Sequence, residues 1–111
     1  ENLSTARDIT RAIIAASKHP VLSMAVSAPH WYTHLNENGK RRRLNTTNRF
    51  RGRARTDFLA AKTGFTNTAL NCFSTVVEKD GRKFAITTMG AFRSKHRWSD
   101  FERLLNWSMK Q

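Results

Sequence analysis

Three consecutive residues, Lys62, Thr63 and Gly64, combine groups that could bind and align another molecule. An ammonium group attracts a carboxylate, a hydroxyl group can donate a hydrogen bond to it, and a residue without Cβ lets another backbone come close. A lone Lys-Thr-Gly triplet is a weak signal, because it also occurs as a turn that leads into a strand. Its meaning therefore depends on the segments around it.

A second group of candidate residues is basic and lies between positions 40 and 55. Eight of the twenty lysines and arginines fall there, with no acid before Asp57: Lys40, Arg41, Arg42, Arg43, Arg49, Arg51, Arg53 and Arg55. With a net charge of +12, the chain is expected to attract polyanions. The cluster predicts an alternative function, a small nucleic-acid-binding domain in which Trp31 or Tyr32 stacks on bases. The same charge also suits an anionic cell wall, a membrane surface or a solvated loop.

The remaining candidate ligands give weaker signals. His30 and His34 are four residues apart in a segment predicted to be a strand, where that spacing is about 13 Å, so no metal site is expected. Cys72 is the only cysteine, which excludes an internal disulfide bond. Because it lies in an apolar run, it is predicted to be a small buried core residue, and the other interpretation is a reactive thiol.

The first half of the chain predicts helices followed by a hairpin. A helix is expected over residues 4–19, where Ser4 or Thr5 can cap an apolar stripe with helical spacing. Residues 21–27 are expected to form a second short helix or an irregular segment. Aromatic residues from 30 to 35, the turn signal Asn38-Gly39 and the return from 40 to 44 predict a β-hairpin.

The second half predicts strands and a final helix after a polar loop at 45–57. Residues 58–63 are expected to be extended, and Gly64 marks close approach or a bulge. Two strands, 70–78 and 83–89, are joined by the turn signal Asp80-Gly81. The last helix, 94–109, has one apolar face: Trp98, Phe101, Leu104, Leu105 and Met109. This order predicts an α+β fold, an antiparallel sheet flanked by helices, in one domain.

Three stretches in this order resemble one known family. They are Leu3-Ser4-Thr5-Ala6-Arg7-Asp8 at a helix start, Leu44-Asn45-Thr46-Thr47-Asn48-Arg49-Phe50 after a hairpin, and Lys62-Thr63-Gly64-Phe65-Thr66 before two strands. This pattern is similar to the low-molecular-weight penicillin-binding proteins, the serine-type D-alanyl-D-alanine carboxypeptidases. The resemblance extends from Leu3 to about Trp107. It implies a partial penicillin-binding/serine β-lactamase-like fold.

The resemblance also implies roles for individual residues. Lys62 would be catalytic, with its charge beside the substrate carboxylate and the serine. Thr63, Gly64 and Thr66 would line the groove in which the substrate docks as an added strand. The backbone N–H of Phe65 would form half of the oxyanion hole.

Arg49 corresponds only loosely to a basic residue that holds the substrate carboxylate in the family. The sequence reads Asn-Thr-Thr-Asn-Arg where relatives have Asn-x-Asn-Arg. A bidentate arginine would suit the task. The other interpretation of Arg49 is a solvated loop charge.

The family also needs Ser-x-x-Lys for its nucleophile and Ser-x-Asn on the facing wall, and neither motif is present. None of the eight serines has Lys three residues later or Asn two residues later. In relatives both motifs precede the helix that begins here near Ser4. Residues 1–111 are therefore expected to be the C-terminal portion of one transpeptidase-like catalytic domain, inactive alone. The first residue, Glu1 rather than Met, fits a processed or excised piece.

The resemblance further implies the partners of the intact protein. It would act on peptidoglycan pentapeptides, be acylated by β-lactams and be located in the periplasm or cell envelope, without a metal or organic cofactor. This chain would bind the N-terminal fragment of the same protein, or self-associate when that fragment is missing. The resemblance does not separate carboxypeptidase, endopeptidase and transpeptidase activity.

Overall fold

The computed structural model describes residues 2–51 and 56–111, which form three helices and five strands. The elements are α1 (Ala6–Lys18), α2 (Pro20–Ser27), β1 (His30–Tyr32), β2 (Arg43–Asn45), β3 (Thr56–Thr66), β4 (Leu70–Lys79), β5 (Arg82–Ala91) and α3 (Ser94–Met109). The predicted α+β order is confirmed. No helix in the described ranges has both the length and the apolar character needed to cross a bilayer.

Two antiparallel sheets are present in the described residues. β1 and β2 form a small separate hairpin, whereas β3, β4 and β5 form a three-stranded sheet in that order. β4 and β5 are joined by the predicted tight turn, in which Asp80 (φ 50°) and Gly81 (φ 74°) both have left-handed backbone conformations. β4 is central, so β3 lies at an edge of the sheet.

β3 is longer than the predicted extended run, and its bulge is not at Gly64. The register shifts between Phe58 and Ala60, whereas Gly64 pairs regularly with Cys72 of β4. Residues two apart on a regular strand share a face. The bulge therefore lets Phe58 pack against Phe101 on the α3 side while Ala60 packs against Ile13 of α1 on the other.

The main core lies between the sheet and α3. It consists of Phe58, Phe73, Val77, Ile86, Trp98, Phe101 and Leu105. The predicted apolar face of α3 is wrong at Leu104, which is 39% exposed. Instead Arg97, one helical turn before Phe101, occupies the inner face and is buried.

The opposite face of the sheet, toward α1, is covered more thinly. Thr5 caps α1, as predicted, by accepting a hydrogen bond from the backbone N–H of Asp8 (3.2 Å). The core here is small: Ile13, Ala60 and Val76. The apolar helix α2 leaves Val21, Leu22 and Met24 exposed by about half or more.

Candidate functional site

The Lys62-Thr63-Gly64 triplet lies on the edge strand β3. Among the described residues β3 pairs only with β4, so its other edge is unpaired. Lys62 and Gly64 are exposed and Thr63 is half-buried. An unpaired edge presents backbone N–H and C=O groups to which an extended peptide can add as a further strand.

A loop between β2 and β3 fixes the hydroxyl group of Thr63. Thr47 Oγ1 lies 2.6 Å from Thr63 Oγ1. The loop is held by Asn48, whose side chain is buried and whose Oδ1 accepts a hydrogen bond from the backbone N–H of Phe50 (3.0 Å). The Nζ of Lys62 donates a hydrogen bond to the carbonyl oxygen of Thr63. The side chains of Lys62 and Thr63 therefore both have hydrogen-bond partners among the described residues.

The glycine of the triplet is not required by the packing of the described residues. A Cβ built on Gly64 would meet the Cβ of Cys72 at 3.9 Å, an ordinary van der Waals contact, and its φ is not in the left-handed region. The fold would therefore accept alanine at this position.

Arg97 is the residue of this region that sequence reasoning missed. Its Nη1 donates to the carbonyl oxygens of Gly64 (3.4 Å) and Cys72 (3.2 Å), and its guanidinium lies 4.7 Å from the ring centre of Trp98. Burial lowers the pKa of Arg97, the charge of Arg49 lowers it further, and Cys72 raises it. The guanidinium stays protonated at neutral pH. It therefore donates a charged hydrogen bond to the carbonyl oxygen of Gly64 from the α3 side of the sheet. In the sequence, Arg97 lies four residues before Phe101, a spacing that places both on one face of α3. This spacing was the signal that could have indicated its burial.

The other predicted site residues have different surroundings. Arg49 is exposed and makes no hydrogen bond or ion pair in the described part of the chain, although its charge affects Arg97. Phe65 directs an exposed ring to solvent. The hydroxyl of Thr66 accepts a hydrogen bond from the backbone N–H of Ala69 (2.9 Å) at the β3–β4 turn. The structure thus brings Lys62 to Thr66 together on one strand and leaves Arg49 on the neighbouring loop.

Two open spaces flank the triplet and share Lys62 and Thr63 in their walls. The first, here named the hairpin groove, has a volume of about 300 Å³ and separates β3 from the β1–β2 hairpin and the end of α2. The second, named the apolar pocket, has a volume of about 430 Å³ and lies between α1 and the sheet. Lys62 and Thr63 therefore have free space on both sides.

Cys72 lines the apolar pocket, so the prediction of a buried core residue is wrong. The thiol is half-buried, and its Sγ lies 3.5 Å from the carbonyl oxygen of Ala69. Its partner across the ladder is Gly64, which has no side chain to cover it.

The basic cluster is divided among several environments. Lys40, Arg41, Arg42 and Arg43 are exposed on the hairpin, and Arg43 Nη2 lies 3.4 Å from His30 Nδ1. Arg51 donates to the carbonyl oxygen of Ser27. Arg53 and Arg55 lie outside the described residues.

Comparison with solved structures identifies the fold. The chain superimposes on D-alanyl-D-alanine carboxypeptidase from Mycobacterium tuberculosis with a TM-score of 0.82 and 23% identity, covering 97% of this chain and 41% of that one. It superimposes on a mutant of a Streptomyces DD-transpeptidase with a TM-score of 0.86 and 20% identity, covering 99% and 44%. The fold is therefore a partial penicillin-binding/serine β-lactamase-like fold, as predicted.

Sequence comparison agrees with the structural one. The chain is 27% identical over 106 residues to D-alanyl-D-alanine endopeptidases of Escherichia coli and Pseudomonas aeruginosa, covering 96% of this chain and 34% of each relative. No family model matches. The predicted resemblance to D-alanyl-D-alanine peptidases is confirmed. The chain spans about a third of the length of the curated relatives it matches.

Proposed function

We propose that this chain is the C-terminal portion of the catalytic domain of a serine-type D-alanyl-D-alanine peptidase, and that the edge of β3 forms one wall of its substrate groove. The observation that carries this proposal is the position of Lys62, Thr63 and Gly64 on a strand edge that no other strand of residues 2–51 and 56–111 pairs with. The names of the curated relatives and structural neighbours support it.

In the proposed mechanism, the peptidoglycan stem peptide adds to β3 as an extended strand. Thr63 and Lys62 bind the carboxylate of the residue that leaves. The backbone N–H of Phe65 donates to the developing oxyanion, an interaction that typically contributes about 3–4 kcal/mol to the transition state. A serine outside this chain attacks the carbonyl of the penultimate D-Ala, the amine leaves with a proton, and water hydrolyses the acyl-enzyme. β-Lactams acylate the same serine.

Arg49 is proposed as an additional positive charge at this end of the groove. The same loop carries Thr47, whose hydroxyl oxygen lies 2.6 Å from that of Thr63, and this contact supports a location of Arg49 near the substrate carboxylate. Thr66 would line the continuation of the proposed substrate groove along β3. Its hydroxyl already serves the β3–β4 turn, so its proposed contribution is the backbone.

The rest of the domain would cover the α1 side of the sheet. The apolar pocket opens beside Lys62 and Gly64, and α2 presents Val21 and Met24 to the outside. A segment that carries Ser-x-x-Lys and Ser-x-Asn, packed on this surface, would bring the nucleophile to the triplet. By this proposal the chain alone is inactive, and the intact enzyme acts in the periplasm or cell envelope.

Labelling of the intact protein with a fluorescent penicillin tests the proposal. We expect a covalent label on a serine outside residues 1–111, and strongly reduced labelling in Lys62→Ala. Lys95→Ala, which removes an exposed lysine from the first turn of α3, is the matched control and should label normally. Absence of a label on the folded wild-type protein would refute the proposal.

Nucleic-acid binding is the second candidate function, favoured by the exposed residues Lys40 to Arg43 on the hairpin. Of the two aromatic candidates, only Tyr32 lies opposite Arg43 in the ladder, whereas Trp31 lies opposite Leu44. Titration with DNA and RNA at several salt concentrations tests it. Tight binding with a steep salt dependence, together with no penicillin label, would favour this function over the peptidase.

A further inference from the structure

A chain of three hydroxyl groups leads from α1 across the sheet to the residue opposite Lys62. Thr10 of α1 donates a hydrogen bond to Thr87 of β5, with 2.7 Å between the two Oγ1 atoms. The Oγ1 of Thr87 in turn lies 2.7 Å from the Oγ of Ser74 on β4. Ser74 is buried, with 5% of its surface exposed, and it pairs directly with Lys62 in the β3–β4 ladder. The chain of hydroxyl groups therefore ends beside the lysine of the triplet.

The surroundings of Ser74 on this face of the sheet are mostly apolar. Val76, two residues further along β4, shares the face and packs with Ile13 and Ala60. A buried hydroxyl group costs free energy unless hydrogen bonds compensate for it. A hydroxyl group has one proton and two lone pairs, and the contact with Thr87 uses only one of these three. Ser74 Oγ therefore keeps at least one lone pair that can accept a further hydrogen bond.

The ammonium group of Lys62 has more donors than the described residues occupy. It carries three N–H groups, and the described contacts use one of them, which donates to the carbonyl oxygen of Thr63. Under the proposed function, a second donates to the substrate carboxylate. Directly opposed residues have Cβ atoms about 4.5–5.5 Å apart, and Lys62 and Ser74 both line the apolar pocket. A third N–H can therefore reach Ser74 Oγ along the wall of this pocket.

We propose that Ser74 is a positioning residue for Lys62: its Oγ accepts a hydrogen bond from the ammonium group during acylation, and Thr87 and Thr10 hold that oxygen in place. This inference rests on the proposed function. The hydrogen bond directs the ammonium group toward the substrate carboxylate, because the flexible stem of a lysine does not fix its own direction. Loss of the Ser74 hydroxyl should therefore weaken recognition of a carboxylate and should spare a ligand that has none.

The experiment compares the acylation rate constants of the intact protein with benzylpenicillin, which carries a carboxylate, and with its uncharged methyl ester. In both reactions serine Oγ forms an ester with the β-lactam carbonyl carbon, the ring C–N bond breaks, and the nitrogen takes a proton. The ratio of the acid rate to the ester rate reports the contribution of the carboxylate. We expect this ratio to fall about tenfold in Ser74→Ala, as for a lost hydrogen bond to a charged group. Ser74→Thr, which keeps the hydroxyl and adds a methyl group beside the open pocket, should restore the ratio.

Thr75, the next residue of β4, provides the matched control. It is fully buried and donates a hydrogen bond to the carbonyl oxygen of Ala60 (2.7 Å), and it does not line the apolar pocket. Thr75→Val and Ser74→Ala each remove a buried hydroxyl group, so both should lower the urea midpoint. Only Ser74→Ala should change the ratio. Thr87→Val removes the group that holds Ser74 Oγ, should also lower the ratio, and replaces Ser74→Ala in the test if that variant does not fold.

An unchanged ratio in Ser74→Ala and Thr87→Val, or no recovery in Ser74→Thr, would overturn the inference. Equal losses on the two penicillins would also overturn it, because they would mean that the hydroxyl chain only ties α1 to the sheet. These results leave the proposed function intact as long as penicillin acylates the wild-type protein. Failure of the proposed function has a different signature, which is no acylation of the folded wild-type protein by either penicillin.

Discussion

Replacement of Gly64 by alanine should lower the rate of acylation without lowering the free energy of unfolding. This result would distinguish a glycine required for substrate binding from one required for folding. The added Cβ would lie 3.9 Å from Cys72 Cβ, which is an ordinary van der Waals distance and not a steric clash. Alanine also restricts the unfolded chain more than glycine does. We therefore expect the free energy of unfolding to be unchanged or raised by up to about 1 kcal/mol.

The rate of acylation, in contrast, should fall. The Cβ would project from the face that Gly64 shares with Cys72, into the apolar pocket where the nucleophile is proposed to arrive. A shift of the bound carbonyl by about 1 Å typically reduces the rate about 100-fold. This factor corresponds to about 2.7 kcal/mol of transition-state free energy.

The assay combines denaturant unfolding with the rate of acylation by a fluorescent penicillin, both on the intact protein. Gly81→Ala is the control, because Gly81 has a φ of 74° in the β4–β5 turn and open space around it. This substitution should lower stability by about 1 kcal/mol through backbone strain and leave acylation unchanged. Normal acylation by Gly64→Ala, or its destabilisation by more than about 2 kcal/mol, would refute the reasoning.

Three further predictions follow from the described contacts. Thr47→Val should lower acylation several-fold by releasing the Thr63 hydroxyl from its 2.6 Å contact, whereas Thr47→Ser should retain the rate. Arg97→Met should lower the free energy of unfolding by about 1–3 kcal/mol, because it removes the hydrogen bonds that Arg97 donates to the carbonyl oxygens of Gly64 and Cys72. Urea unfolding measures this change, and an unchanged midpoint would contradict the prediction. The isolated chain should self-associate through the exposed apolar residues of α2 and the thinly covered α1 side of the sheet, and sedimentation as a compact monomer would contradict this.

Features set by local interactions could be predicted from the sequence. Thr5 caps α1 and Asp80-Gly81 closes the β4–β5 turn because their conformations depend on neighbouring residues alone. The edge position of β3 also agrees with expectation, since hairpin connections leave the first strand at one side.

Features set by tertiary packing could not be predicted in the same way. The bulge between Phe58 and Ala60 depends on two cores that require side chains on opposite faces. Arg97 is buried because two backbone carbonyls of the sheet accept from it, and no local pattern reports those acceptors. Cys72 stays half-buried because its ladder partner is glycine, which an apolar run does not reveal.

The most direct test of the central claim is a crystal structure of the intact protein acylated by a β-lactam. We predict the carboxylate of the ligand within hydrogen-bond distance of Thr63 Oγ1 and Lys62 Nζ, with its acyl carbonyl oxygen on the backbone N–H of Phe65. A covalently bound ligand that makes no contact with the edge of β3 would contradict the assignment of this strand as a wall of the substrate groove.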